Sequence, residues 1–227
     1  MAEENLDYEV VKSSRAKRHR IDVSMRGVKV VIPKGSSVDP AELVAERREW
    51  IEEKVAKFAE HRRRIPERQF ADGAVWPYLG EKKQLVVNGS AYHRLEGERI
   101  ILAQKKVAKS SIKEELEKFF RRRARAYLTG LTDRWAEKIG VKYNRIFIRN
   151  QRTRWGSCSS KNNLNYNYRL IMAPPEVVEY IVIHELCHLR YSNHGAKFKR
   201  LLASLCPEYK KQENWLKKNS IKLIFSK

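Results

Sequence analysis

The run His184-Glu185-Leu186-Cys187-His188 constrains the fold more tightly than anything else in the 227 residues of the chain. Successive residues of an α-helix turn through 100°, so positions four apart lie only about 40° apart around the axis. Two imidazoles at that spacing leave one face together and can grip one divalent ion, with Zn–N distances of about 2.0–2.1 Å. Glu185, about 100° further round, can reach a water on that ion. This segment has to be helical, and the rest of the fold has to leave that face open. His194 follows past the helix-breaking pair Ser192-Asn193, and Gly195 behind it frees the backbone to bring a third nitrogen back. Three of the six histidines therefore fall within one short stretch, an arrangement that unrelated core or surface positions explain poorly.

Three protein nitrogens and one open position are the pattern of a catalytic zinc site. A closed structural site would need Cys187 or Cys158 as a further ligand. Cys187 sits on the flank of the histidine face and reads as a small buried hydrophobe. In an open site Zn2+ lowers the pKa of a water to about 7 and polarises a carbonyl. Glu185 is then the expected general base, returning the proton to the leaving amine. Tyr191, Arg154 and His93 are candidates for touching substrate or stabilising an oxyanion.

Around this motif the pattern predicts an α+β chain. Residues Tyr8 to Pro33 read as strands with a turn at Arg26-Gly27, and Ser37 to Arg64 as one amphipathic helix started by Asp39-Pro40. Trp76 to Gln104 is strand-like again, with hairpin signals at Asn88-Gly89 and near Glu96-Gly97. A long helix is expected from Ser111 to Ile139, opened by the capping box Ser111 to Glu114 and stopped by Gly140, with a core stripe of Ile112, Leu116, Phe120, Tyr127, Leu131, Trp135 and Ile139. A strand at Arg145–Ile148 and a hairpin, Thr153–Cys158 with Leu164–Leu170, lead to Pro174-Pro175 and the motif helix from Glu176 to about Tyr191. The division expected is a β-rich N-terminal domain with one helix over residues 1–107 and a catalytic domain over residues 108–227, with a boundary near Lys106–Ser110.

A 42% hydrophobic and 10% aromatic composition is that of a folding chain rather than a disordered one. Forty-eight Lys and Arg against 27 Asp and Glu give a net charge of +21, which suits nucleic acid or another polyanion as partner. The opening MAEENLDYEV lacks an apolar targeting core, and no run of about 18 apolar residues could span a bilayer. Three cysteines do not make a disulfide framework. A cytoplasmic protein without membrane contact is expected.

The stretch RWGSCSSKNNLNYNYRLIMAPPEVVEYIVIHELCHLRYSNHGAKF, together with the basic strand-rich start SSRAKRHRIDVSMRGVKVVIPKG, resembles the YgjP-like metallopeptidase family, relatives of SprT-like proteases. HExxH alone is shared by many zincins; WGSCS with Arg169-Leu170 ahead of the helix is far more discriminating. The resemblance implies a zincin-like catalytic domain of minimal gluzincin type, a peptide or protein substrate, His184, His188 and His194 as ligands and Glu185 as the catalytic carboxylate. Where the family usually shows a Gly turn, this chain has Asn162-Asn163, and Asn tolerates the left-handed backbone such a turn needs. Two other functions fit the same residues: a metal-dependent hydrolase of an anionic non-peptide substrate such as a nucleoside triphosphate, and a nucleic-acid-associated protease docked through its basic N-terminal region.

Overall fold

The computed structural model describes residues 6–225; the first five residues of the acidic opening lie outside them. The chain divides into two compact units, residues 1–66 and 67–227.

In the first unit, β1 (Tyr8–Ser13), β2 (Arg20–Ser24) and β3 (Gly27–Pro33) precede α1 (Pro40–Glu46) and α2 (Arg48–Arg63). The anticipated hairpin is β2–β3, which pair antiparallel, with Gly27 at φ +114° closing the turn. β1 adds on the other side of β3 and runs parallel to it, giving the order β1-β3-β2. Asp39 caps α1 by accepting from the N–H of Ala41. The single helix expected over Ser37 to Arg64 is interrupted at Arg47 (φ −120°, ψ 18°). Packing accounts for the break: Val44 before it and Ile51 after it both bury into one cluster with Val28, Val30 and Ile32 of β3, so tertiary contacts outweigh helix propensity.

The second unit opens with β4 (Val75–Tyr78), β5 (Glu81–Asn88), β6 (Arg94–Glu96) and β7 (Arg99–Ala103), in the order β4-β5-β7-β6. The turn near Glu96-Gly97 forms as expected, with Gly97 at φ +52°. Asn88-Gly89 makes no hairpin: Asn88 Oδ1 accepts from the N–H of Ser90, and β5 pairs in parallel with β7 instead. The tight hairpin lies upstream, where Leu79 and Gly80 (φ +47° and +80°) join β4 to β5, as a primed turn requires of both central residues.

After the short α3 (Gln104–Val107), α4 runs Ile112–Ile139 within the limits its caps announce. Ser111 accepts from the N–H of Glu114, and Gly140 ends the helix at φ +70°. Leu116, Phe120, Leu131 and Ile139 of its stripe are buried, joined by Phe119, Ala124 and Leu128, whereas Ile112, Tyr127 and Trp135 are half-buried. Then come β8 (Ile146–Arg149), β9 (Gly156–Cys158), β10 (Leu164–Asn167), a 3₁₀ turn over Tyr168–Met172, α5 (Pro175–Cys187), α6 (Ala196–Leu205) and α7 (Tyr209–Asn219). β9 is an edge strand in the order β8-β10-β9. Asn162 in its connection to β10 takes φ +56°, the left-handed turn expected of it.

One core holds this unit together. Trp76, Leu85, Ile100 and Leu102 of the β4–β7 sheet bury with Leu116, Phe119 and Phe120 of α4 and with Val178, Val182 and Leu186 of α5. That shared core is why the compact units part at Pro66 and not near residues 106–110. Among the described residues no helix is long and apolar enough to cross a membrane.

Candidate metal centre

α5 starts on Pro174-Pro175, where a proline at the first helical position loses no hydrogen bond. Its N-terminal end is braced by the β4–β5 turn: the N–H of Leu79 donates to the carbonyl of Ile171 at 2.6 Å, and a Cβ on Gly80 would lie 3.1 Å from Pro174 Cα. Nine of its thirteen residues are buried, Glu185 among them. His184 and His188 occupy the side left partly open.

The helix ends at Cys187, and the turn after His188 carries the chain back to His194. His188 Nδ1 lies 3.1 Å from the carbonyl of Tyr191. That nitrogen donates, which fixes the tautomer and leaves the Nε2 lone pair free. The Nε2 atoms of His184 and His194 are 3.0 Å apart; two nitrogens on one tetrahedral zinc ion would stand about 3.3 Å apart. Ligand atoms of all three histidines lie within 4.8 Å of one another. Burial, and then the neighbouring His188 and His194, push the His184 imidazolium down to about 4, and burial lowers His188 as well. At neutral pH both rings offer lone pairs rather than positive charge, and no carboxylate lies within the three-histidine group itself. This donor set suits a divalent cation with an affinity for imidazole.

Phe198 of α6, 1% exposed, backs all three ligands: its ring centroid lies 5.1, 4.7 and 4.8 Å from those of His184, His188 and His194. Glu185 is 5% exposed and its Oε2 has no hydrogen-bond partner among the described residues. Burial pushes its carboxyl up to about 8, opposed by the charge of Arg154 and the backbone of Cys158. β9 passes so close that a Cβ on Gly156 would sit 2.5 Å from Glu185 Oε1 and 2.7 Å from its Cγ. Only glycine permits this approach.

Beside Glu185 opens a cleft of about 340 Å3, walled by Arg154 and Trp155 ahead of β9, by Tyr180 and His184 of α5, and by Glu213 and Lys217 of α7. Tyr180 stands one turn before His184, its ring edge-on to that imidazole at 5.8 Å. It is 6% exposed, and its hydroxyl has no hydrogen-bond partner among the described residues.

The structure gathers His184, Glu185, His188, His194 and Arg154 in one place and sends the other two candidates elsewhere. His93 is buried in the β6–α4 region, its Nε2 2.6 Å from Glu115 Oε2 and its Nδ1 accepting from the N–H of Ala103 at 3.0 Å. Both nitrogens are spent, and it does not line the cleft. Tyr191 reaches His188 through its carbonyl, while the residue lines a separate hollow of about 490 Å3 with Lys197 and Arg200. Gly156, Tyr180, Phe198 and the α7 pair were not singled out from sequence. Tyr180 was readable, since it precedes His184 by the same four residues that separate the two helical histidines; α7 carries no comparable signal.

No curated protein matches the chain. Solved structures that overlap with part of it include two metallopeptidase zymogens. The crystal structure of the metallopeptidase zymogen abylysin of Pyrococcus abyssi covers 43% of this chain and 99% of its own at 21% identity and a TM-score of 0.38. That of the metallopeptidase zymogen jannalysin of Methanocaldococcus jannaschii covers 39% and 94% at 22% identity and 0.35. The family described as YgjP-like, metallopeptidase domain, matches residues 17–219, the whole site included, and the chain belongs to that family of metal-dependent peptidases.

Proposed function

We propose that the chain is a zinc-dependent peptidase in which His184, His188 and His194 hold the ion and Glu185 is the general base. The observation that carries this reading is the pairing of a buried carboxylate oxygen without a hydrogen-bond partner among the described residues with three clustered imidazoles. When bound, Zn2+ would lower the pKa of a water to about 7 and polarise the scissile carbonyl.

The chain's own groups supply the rest. Glu185, desolvated under β9, binds a proton more readily than an ordinary carboxylate. That suits it to take the proton of the attacking water and return it to the leaving nitrogen. The outer edge of β9 gives an extended peptide backbone groups to pair with. Tyr180 offers an uncommitted hydroxyl to the oxygen on which charge develops, the role for which Tyr191 and His93 are misplaced. All these groups belong to the unit of residues 67–227, which we assign as the catalytic unit. Cys158, Cys187 and Cys206 are unpaired, in keeping with a reducing cytoplasm.

The test is Glu185→Gln, with zinc content and cleavage of a mixed peptide library measured side by side. Turnover is lost while one zinc per chain remains; full activity in this variant removes Glu185 from its role, and activity unaffected by chelation removes the metal.

A further inference from the structure

The charge of the chain is unevenly spread. Residues 1–66 carry 15 Lys and Arg and 12 Asp and Glu, a net +3, and residues 67–227 carry 33 and 15, a net +18. The positive potential therefore belongs to the unit that holds the metal centre, not to the basic-looking start of the chain. Within that unit two runs lack carboxylates altogether. Residues 138–175 contain eight Lys and Arg and no Asp or Glu, and residues 186–207 contain four and none. The first run builds the β8–β10 sheet and the loop into β9, which forms one wall of the cleft; the second builds the ligand turn and α6.

Outside those runs some cations of this unit are neutralised, while others, Lys105, Lys106 and Lys109 among them, make no ion pair among the described residues. Lys83 pairs with Glu81 and Glu98, Lys118 with Glu115, and Arg121 with Glu117. Arg152, Arg154, Lys197, Lys199 and Arg200 are exposed and none of them makes an ion pair among the described residues. The carboxylates close by are already engaged or assigned. Glu213, in the cleft wall, pairs with Lys217 at 3.2 Å, Glu179 accepts from the indole N–H of Trp135 at 2.8 Å, and Glu185 has its catalytic part. Lys197 and Arg200 line the 490 Å3 hollow beside Tyr191, whose carbonyl holds His188.

We infer that this peptidase selects acidic polypeptide, its carboxylates engaging Arg152 and Arg154 on the strand side of the scissile bond and Lys197 and Arg200 on the α6 side. The inference rests on the peptidase reading above. Unpaired cations flanking a cleft gather anionic substrate and favour it by 10- to 1,000-fold in encounter rate at low salt. Guanidinium groups then fix carboxylates in a two-pronged geometry, while a basic segment meets repulsion without compensation.

The experiment uses the full zinc-loaded chain and three decapeptide pools sharing one central sequence, with acidic, neutral or basic flanks. Acidic flanks raise kcat/KM at least about tenfold over neutral ones and basic flanks lower it; the advantage shrinks as salt rises from about 0.05 to 0.5 M. In the triple variant Arg152→Glu, Lys197→Glu, Arg200→Glu the acidic preference disappears while the neutral pool is cut at the wild-type rate. Equal cleavage of the three pools, or an acidic preference indifferent both to salt and to the triple variant, overturns the inference and leaves the peptidase reading standing. Failure to cut any pool overturns the peptidase reading, and this inference with it.

Discussion

Gly156 positions Glu185 by what it lacks. Its missing Cβ leaves β9 resting on the carboxylate, so Gly156→Ala must push Glu185 aside. A catalytic group displaced by about 1 Å costs on the order of 10²-fold in rate. The variant is expected to show that loss in kcat with zinc content unchanged, and wild-type kcat would mean the contact relaxes harmlessly. Tyr180→Phe removes one hydroxyl from the cleft; if it donates to the developing oxyanion, kcat drops about 10²- to 10³-fold with KM little altered. The ligand set could be read in the sequence because metal chemistry fixes residue types at helical spacings. The fates of His93 and Tyr191 could not, because which partner a side chain meets is decided by how other elements pack: Glu115 of α4 for the one, α6 for the other. Gly156 was visible in the WGSCS signature, but its reason, the nearness of Glu185, exists only once β9 is laid over α5.

Caps and stops fared better than pairing signals among the secondary-structure elements. Ser111 and Gly140 act on their immediate neighbours, so α4 could be bounded from local chemistry. Asn88-Gly89 announces a hairpin only if the following strand returns antiparallel, and here the sheet takes β7 in parallel beside β5. The elements are also joined by a buried polar link. Burial alone would raise the carboxyl of Glu115, yet Lys118, His93 and Ser110 donate to it and hold it down to about 2. A carboxyl whose folded pKa lies below its ordinary 4.5 stabilises the fold fully above that value and loses the contribution as pH falls toward 2. Wild-type melting temperature should therefore drop over this interval, and Glu115→Gln should be less stable at neutral pH but show a flatter acid limb. Parallel acid limbs would show that the link is energetically silent.

For the chain as a whole, the +21 charge was countable from the start, but its distribution emerged only when the fold set the loop into β9, within residues 138–175, into the cleft wall and packed α6, within residues 186–207, against the three histidines. The boundary was hard to read because neither Ile65-Pro66 nor residues 106–110 bears a Gly- or Ser-rich linker. Metal removal tests the larger unit directly. Zinc at 100 times its dissociation constant adds about 2.7 kcal/mol, which in a unit of this size corresponds to a melting shift of roughly 5–10 °C. Chelation is expected to lower the transition of residues 67–227 by that amount, and an unchanged transition would argue against a bound ion. The brace at Leu79-Gly80 has a practical corollary for engineering. A reporter loop inserted at Glu96-Gly97, where nothing lies within 4 Å of a Cβ at Gly97, can extend into solvent; the same insertion at Gly80 would lever Pro174 and tilt the helix that carries both His184 and His188. The two hairpin tips, alike in sequence, are thus an insertion port and a lock.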